Sequence, residues 1–475
     1  MKYSDALLLA SAGSAAGLVK QCSSGKPVEE NNNYFCGEVK HLRYEGIMGD
    51  GSYKSVTGMT DSGGCPTESK SFHGPLAPLD EGLSIHIRGP FHLKQAAVYN
   101  PYSPPSLNKR SPDGSHRVHR RHDHRHMHQK KELIYAIIDG KNVSWENPDT
   151  QGDAGNAPAG AAPADAAGAG AGAAPVNAAA ADPANAAAAA PANAAAAAPA
   201  NAAAVPGVAQ PAAGSPPDVS PPQSSAIPKS NASSASSGSD WDRIAYFNAE
   251  TKERDNMVFM ANLGGQGSGV FDYKWGNSLA YVNSNCNAGS STPETLQDVT
   301  IPSNKEFAIF SAEPCDETCG YSRAPDIAYK GFGGADKVFL FEFMMPMDGT
   351  KGFNADMPAL WTLNSRIPRT AQYHGCSCWQ SGCGEFDIYE VLATGDHKCK
   401  STLHLTQGGG SSDWFMRPTT TFIKIAVVFD KNTAAIAIHI LPDDTNFSEG
   451  LDDATVKSWL NGPASGIDSS LFQIG

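Results

Sequence analysis

From about residue 151 to residue 240 the chain offers almost no side chain large enough to pack. The stretch is rich in Ala, Pro, Asn and Gly and then in Ser and Pro, with Ala-Ala-Pro-Ala-Asn recurring around 185–202. Alanine favours helix, but the recurring prolines end each run before helix accumulates. With so little apolar area to bury, nothing offsets the entropy of ordering the backbone. The segment reads as a disordered stalk, O-glycosylated in its serine-rich part. Folded structure must come from what flanks it.

Four further regions are expected around the stalk. Residues 1–19 read as a signal peptide: Lys2 precedes the apolar stretch Ala6 to Ala10, and Ser14-Ala15-Ala16 offers small residues for cleavage before Gly17. Residues 20–105 form a small cysteine-containing β module, with strand signals at Leu83–Ile87 and His92–Tyr99 about a Gly89-Pro90 turn. That length buries only a modest core, so the module leans on disulfides or completes the C-terminal sheet. Residues 106–150 are a basic linker in which His116, His119, His122, His124, His126 and His128 alternate with arginines. Imidazoles there could hold a metal loosely, but a solvated charged linker is the expected reading. Lys109-Arg110 and Arg120-Arg121 are candidate processing sites within it.

Residues 241–475 are globular in composition and hold six of the seven tryptophans and seven of the ten cysteines. Strand-like runs recur at Glu306–Phe310, Lys337–Phe343, Gly384–Val391, Ser401–Leu405, Phe422–Phe429 and Ala434–Leu441, and Ala454–Leu460 is the clearest helix signal. Short strands separated by turn signals predict an all-β sandwich or jelly roll.

The formal charge of −13 argues against nucleic acid or an anionic membrane as partner and suits a neutral, hydrophilic ligand. No run after the leader approaches the ~20 apolar residues of a membrane span, and the final residues lack the tail of a lipid-anchor signal. Ten cysteines fit a secreted protein with a handful of disulfides. Sequons at Asn142, Asn231 and Asn446 agree with that route. No cofactor is expected; oligomeric state is not legible.

The stretch Gly384-Glu385-Phe386-Asp387-Ile388-Tyr389-Glu390-Val391 carries the candidate chemistry. In a strand, Glu385 and Asp387 share a face while Phe386 and Ile388 enter the core. Strict alternation puts Glu390 on the wrong face, and one β-bulge near Tyr389 would bring all three acids together. The outer carboxylates could then stand about 5–5.5 Å apart, the separation of a retaining glycosidase. One Glu attacks an anomeric carbon, the other protonates the leaving oxygen and later deprotonates water. The intervening Asp helps separate their pKa values. An ordinary strand whose acids face solvent is the competing reading.

Lys337-Val338-Phe339-Leu340-Phe341-Glu342-Phe343, then Met357-Pro358-Ala359-Leu360-Trp361, the acid motif, and Ser401-Thr402-Leu403-His404-Leu405 follow in that order. In these motifs the chain resembles glycoside hydrolase family 16. More narrowly it resembles the fungal wall proteins described as circularly permuted β-1,3-glucanases. The resemblance covers most of 241–441 and the first segment more loosely. It implies a concanavalin A-like β-jelly roll acting on β-1,3-glucan or a related wall polysaccharide. Glu385 would be nucleophile, Glu390 general acid/base, and Asp387 the assisting acid. Trp361 and His404 match cleft positions of the family, with core packing and a buried hydrogen-bonded histidine as competing readings. The same carboxylates would serve a transglycosylase, and a non-catalytic glucan-binding protein is the alternative from another class.

The chain departs from the family at His374-Gly375-Cys376-Ser377-Cys378-Trp379-Gln380-Ser381-Gly382-Cys383, just before the acids. With Cys399 this insert could be drawn as a zinc site, but disulfides are expected in a secreted chain and no metal is assigned. Trp379 reads as a sugar platform or a lid. The family's last strand has its nearest analogue at Phe91–Tyr99, far upstream, so that strand is expected to dock into the C-terminal sheet. A long tether permits this, since loop-closure entropy grows slowly with length. Three cysteines before the stalk and seven after it leave one over on each side, which one disulfide across the stalk would satisfy.

Overall fold

The apolar strand runs are accommodated by two sheets that bury one face each against the other. The computed structural model describes residues 22, 26–103, 133–138, 141–146, 239–463 and 468–474. The leader, the histidine tract, both dibasic pairs, the stalk and Asn231 lie outside these residues. The strands that build the site and its support are, in chain order, β1 (His41–Glu45), β2 (Met48–Val56), β3 (Thr67–Pro75), β4 (Leu83–Arg88), β5 (Phe91–Pro101), β6 (Trp241–Asn248), β7 (Val258–Ala261), β8 (Glu306–Phe310), β9 (Lys337–Met344), β10 (Ala359–Asn364), β11 (Glu385–Val391), β12 (Lys398–His404), β13 (Ile423–Asp430), β14 (Ala435–Leu441) and β15 (Ser469–Gln473).

One ten-stranded sheet runs β6-β5-β9-β13-β14-β1-β15, with shorter strands at and beside the β6 end. The other, also ten-stranded, contains β7-β8-β4-β10-β11-β12 in sequence, again with short flanking strands. A single apolar cluster joins the facing surfaces: Leu93 and Val98 of β5, Phe339 and Phe341 of β9, and Val427 and Phe429 of β13 meet Ile85 and Ile87 of β4, Leu360 of β10 and Phe386 of β11. Each such side chain removed from water contributes about 1.5–3 kcal/mol. The chain is an all-β sandwich, as the strand pattern predicts.

The segment before the stalk is woven through both sheets. β4 lies between β8 and β10, with Ile85 opposite Thr362 on one side and Ile309 on the other. β5 lies between β6 and β9, with Val98 opposite Ala245 and Phe339. β1 pairs with β14 and, in parallel, with β15 near the chain end. Strands so placed have both hydrogen-bonding edges occupied, and β9 and β10 would otherwise present unpaired edges. The hairpin β2–β3 pairs only with itself. The helix signal forms an α-helix, α1 (Asp453–Asn461), capped by the Asp452 carboxylate, which accepts from the Thr455 amide.

Cys65 and Cys376 form a disulfide across the stalk, and Cys22–Cys36, Cys315–Cys319 and Cys378–Cys383 are local bridges. Pairing stops there: Cys286 and Cys399 are buried free thiols. Both belong to the central apolar cluster, and Cys399 Sγ lies 3.9 Å from Met345 Sδ. Parity alone misses this because a buried thiol packs as a small hydrophobe.

Candidate active site

The acid strand β11 is pinned by its core face. Phe386 sets its ring edge against Phe429, and Tyr389 stacks on Phe415 with centroids 4.6 Å apart. Both flanking ladders slip by one residue here: Asp387 is opposite Trp361 and Thr402, yet Glu390 is opposite Ala359 and Lys400. The extra residue is a β-bulge at Ile388–Tyr389, whose two side chains are both fully buried in the core. The phase change returns Glu390 to the register of Glu385 and Asp387, and the three carboxylates interact electrostatically.

Strand pairing carries this face sideways in three rows. Ser84 and Leu363 lead to Glu385 and His404; His86 and Trp361 lead to Asp387 and Thr402; Glu306, Arg88 and Ala359 lead to Glu390 and Lys400. His404 Nε2 lies 2.7 Å from Asp387 Oδ2. The Trp379 indole N–H donates to the Glu385 carboxylate. Arg88 Nη2 stands 3.4 Å from Glu390 Oε1.

Burial raises all three acids. Glu385 is pushed up to about 8, by desolvation first and the charge of Asp387 second, against the favourable influence of His404 and Trp379. Asp387 rises to about 7 through desolvation, with Arg88 opposing, and Glu390 to about 7 through desolvation and Asp387, with Arg88 and His404 opposing. Glu390 keeps 21% of its side chain exposed, so the cluster is open to solvent on its Glu390 side. Desolvation and the charge of Asp387 thus disfavour ionising all three acids together.

Trp361 is only 6% exposed. It packs against His86, ring centroids 5.3 Å apart, with the Arg88 guanidinium 5.9 Å over its ring. The cover comes from the hairpin and the insert: Tyr53 of β2, Phe72 of β3, Cys378 and Cys383 form an apolar cluster with Trp361, against which Trp379 packs. The Lys54 amide donates to Ser381 Oγ, joining hairpin to insert. The insert cysteines are all in disulfides, so they supply no thiolates to a metal. Ser84, His86 and Arg88 are the site-facing residues that the sequence reading passed over. Their signal was present, since Leu83-Ser84-Ile85-His86-Ile87-Arg88 alternates apolar with polar side chains; what was missing was the neighbour of β4.

The pattern of kinship agrees with this geometry. Family models for the cell wall protein YJL171C/Tos1 match at residues 40–101 for its N-terminal part and 239–459 for its C-terminal part. The chain is 42% identical to the probable circularly permuted 1,3-beta-glucanase TOS1 of Candida albicans, over 97% of this chain and 98% of that protein. It is 37% identical to the probable circularly permuted 1,3-beta-glucanase TOS1 of Saccharomyces cerevisiae, covering 90% of this chain and 91% of the relative. A Schizosaccharomyces pombe relative of the same description is 34% identical over 93% of this chain and 95% of its own. The chain belongs to this family. No solved structure matches it. The two matched blocks of the family bracket the stalk, and they coincide with the two segments whose strands interleave in both sheets. The permutation in the family's name thus has a physical form here: β4 and β5 precede the acid strand in sequence and lie within the same sheets as the strands that follow the stalk.

Proposed function

We infer that the protein is a secreted cell-wall glycoside hydrolase that cleaves β-1,3-glucan with retention of configuration. Glu385 attacks the anomeric carbon in its ionised form, which the Trp379 N–H and His404 favour against burial and Asp387, as the glycosidic C–O bond breaks, and Glu390 gives its proton to the leaving oxygen. Water then yields a proton to Glu390, its oxygen bonds to the anomeric carbon, and the Glu385 carboxylate is released. Asp387, held by His404, shares charge and protons with its two neighbours. Trp379 holds the Glu385 carboxylate through its indole N–H and borders the site where the sugar would bind.

The observation that carries this reading is the bulge at Ile388–Tyr389, which gathers three mutually coupled carboxylates on one face of one strand. A strand with its acids merely in solvent has no need of that phase change or of buried carboxyls. The relatives' names supply the substrate class, β-1,3-glucan. The same intermediate intercepted by a sugar hydroxyl gives transfer in place of hydrolysis.

The test incubates purified protein with laminari-oligosaccharides beside Glu385→Gln and Glu390→Gln. Products made by the parent and lost in both variants support the reading, and products longer than the substrate identify transfer. Equal activity in all three proteins overturns it.

A further inference from the structure

We propose that Arg88, delivered from before the stalk, is the positioning residue that sets the proton affinity of Glu390. The inference rests on the carboxylate assignment above and extends it to a residue 302 positions away in the chain.

Arg88 is the last residue of β4, in register with Ala359, which in turn is in register with Glu390. Its Nε donates to the Met357 carbonyl at 2.8 Å, and its guanidinium lies over the Trp361 ring. Neither contact involves Glu390. The cation is therefore held in place whether or not Glu390 is charged, which distinguishes a preorganised group from a surface ion pair formed only when both partners reach. Its side chain is 13% exposed, so water screens it little.

The other groups around Glu390 define what Arg88 must counter. On the same strand, the charge of Asp387 disfavours a further charge on Glu390, and Glu385 and Glu390 repel one another. From β12, His404 is bonded to Asp387 and favours the charged form of Glu390 from there, while Lys400, though in register, turns its ammonium to the Tyr34 carbonyl. From β8, Glu306 is in register with Arg88 but accepts from the hydroxyl of Tyr373, which immediately precedes the insert. Arg88 is thus the cation in direct contact with Glu390 among the described residues. A general acid/base must lose and regain a proton in each turnover. With acidic neighbours beside it and no fixed cation, Glu390 would hold its proton too tightly to give it up to the leaving oxygen in the first step.

The experiment follows the carboxyl carbon resonance of Glu390 in full-length protein labelled with carboxyl-¹³C glutamate, assigned by its loss in Glu390→Gln. It is titrated in the parent, Arg88→Met, Arg88→Gln and Arg88→Lys. Arg88→Met keeps the stem over Trp361 without charge, and Arg88→Gln is a second neutral variant with a donor for the Met357 carbonyl. The expected result is a Glu390 midpoint raised by about one pH unit or more in both neutral variants, restored most of the way in Arg88→Lys. In active protein the alkaline limb of kcat/KM should move upward with it. An unmoved midpoint in a folded neutral variant overturns the proposal, as does an equal shift in Arg88→Lys and Arg88→Met. The titration does not depend on turnover, so failure of the parent to cleave glucan would sink the functional reading and leave this measurement to decide the role of Arg88.

Discussion

Cys65 and Cys376 are bonded to each other across 311 positions of sequence. Cys376 opens the insert whose Trp379 donates to Glu385, and Cys65 sits in the loop between β2 and β3, the hairpin that covers Trp361. The bond therefore fastens two covers of the acid face to one another. Protease cleavage within 104–238 should leave the two fragments joined on a non-reducing gel and separated on a reducing one. Cys65→Ser with Cys376→Ser should cost about 2–5 kcal/mol in denaturant unfolding.

The raised carboxyl pKa values carry a stability consequence. Asp387 titrates near 7 in the folded protein and near its ordinary value of about 3.9 when unfolded. Between those pH values the folded state binds more protons, so stability is higher at the acidic end and falls as pH rises toward 7. Glu385 extends the window to about 8. Neutralising the cluster removes the penalty. Glu385→Gln and Asp387→Asn should each raise Tm at pH 8, by about 2–4 °C per kcal/mol gained. The gain should shrink at pH 4.5, where the parent carboxyls are protonated. Differential scanning fluorimetry across pH checks both signs.

Azide separates the roles of the two glutamates. In Glu385→Ala, azide added with an activated β-glucoside should restore turnover and give a glycosyl azide of inverted configuration, since azide replaces the nucleophile. In Glu390→Ala the azide product should retain configuration, since Glu385 still forms the intermediate. Without azide, loss of Glu390 should lower turnover of natural glucan by about 10²–10⁴. The reverse pattern of anomers would exchange the assignments.

The interleaved strands predict how the halves behave apart. Residues 239–475 expressed alone lack β1, β4 and β5, leaving β9 and β10 with open edges and Phe343 without Phe91, its stacking partner at 5.0 Å. That fragment should be insoluble alone and soluble when co-expressed with residues 26–103. Phe91→Ala in the whole chain should cost about 3–5 kcal/mol, because Phe91 is fully buried.

Much of this protein was legible before any coordinates. Short apolar runs bounded by turn signals located β4, β5, β8, β9, β11, β13 and β14 to within a residue or two, because a strand buried in a sandwich leaves that mark locally. β1, β6 and β15 carried weaker marks; their residues are defined by which strand lies alongside, a relation that local sequence does not encode. The bulge was an expectation from Glu390 being odd in spacing, and the ladders on either side of β11 show where the extra residue sits. Two buried thiols escaped because cysteine count alone does not report which sulfurs are near each other.

Sequence alone marked most of the strands and the three acids on one short run, since each follows from the composition and spacing of adjacent residues. Only the tertiary structure decided that Arg88, His404 and Trp379 surround those acids and that the acids are raised together. Proton affinity depends on desolvation and on charges a few ångströms away, and those neighbours are brought there by strands and loops far apart in the chain.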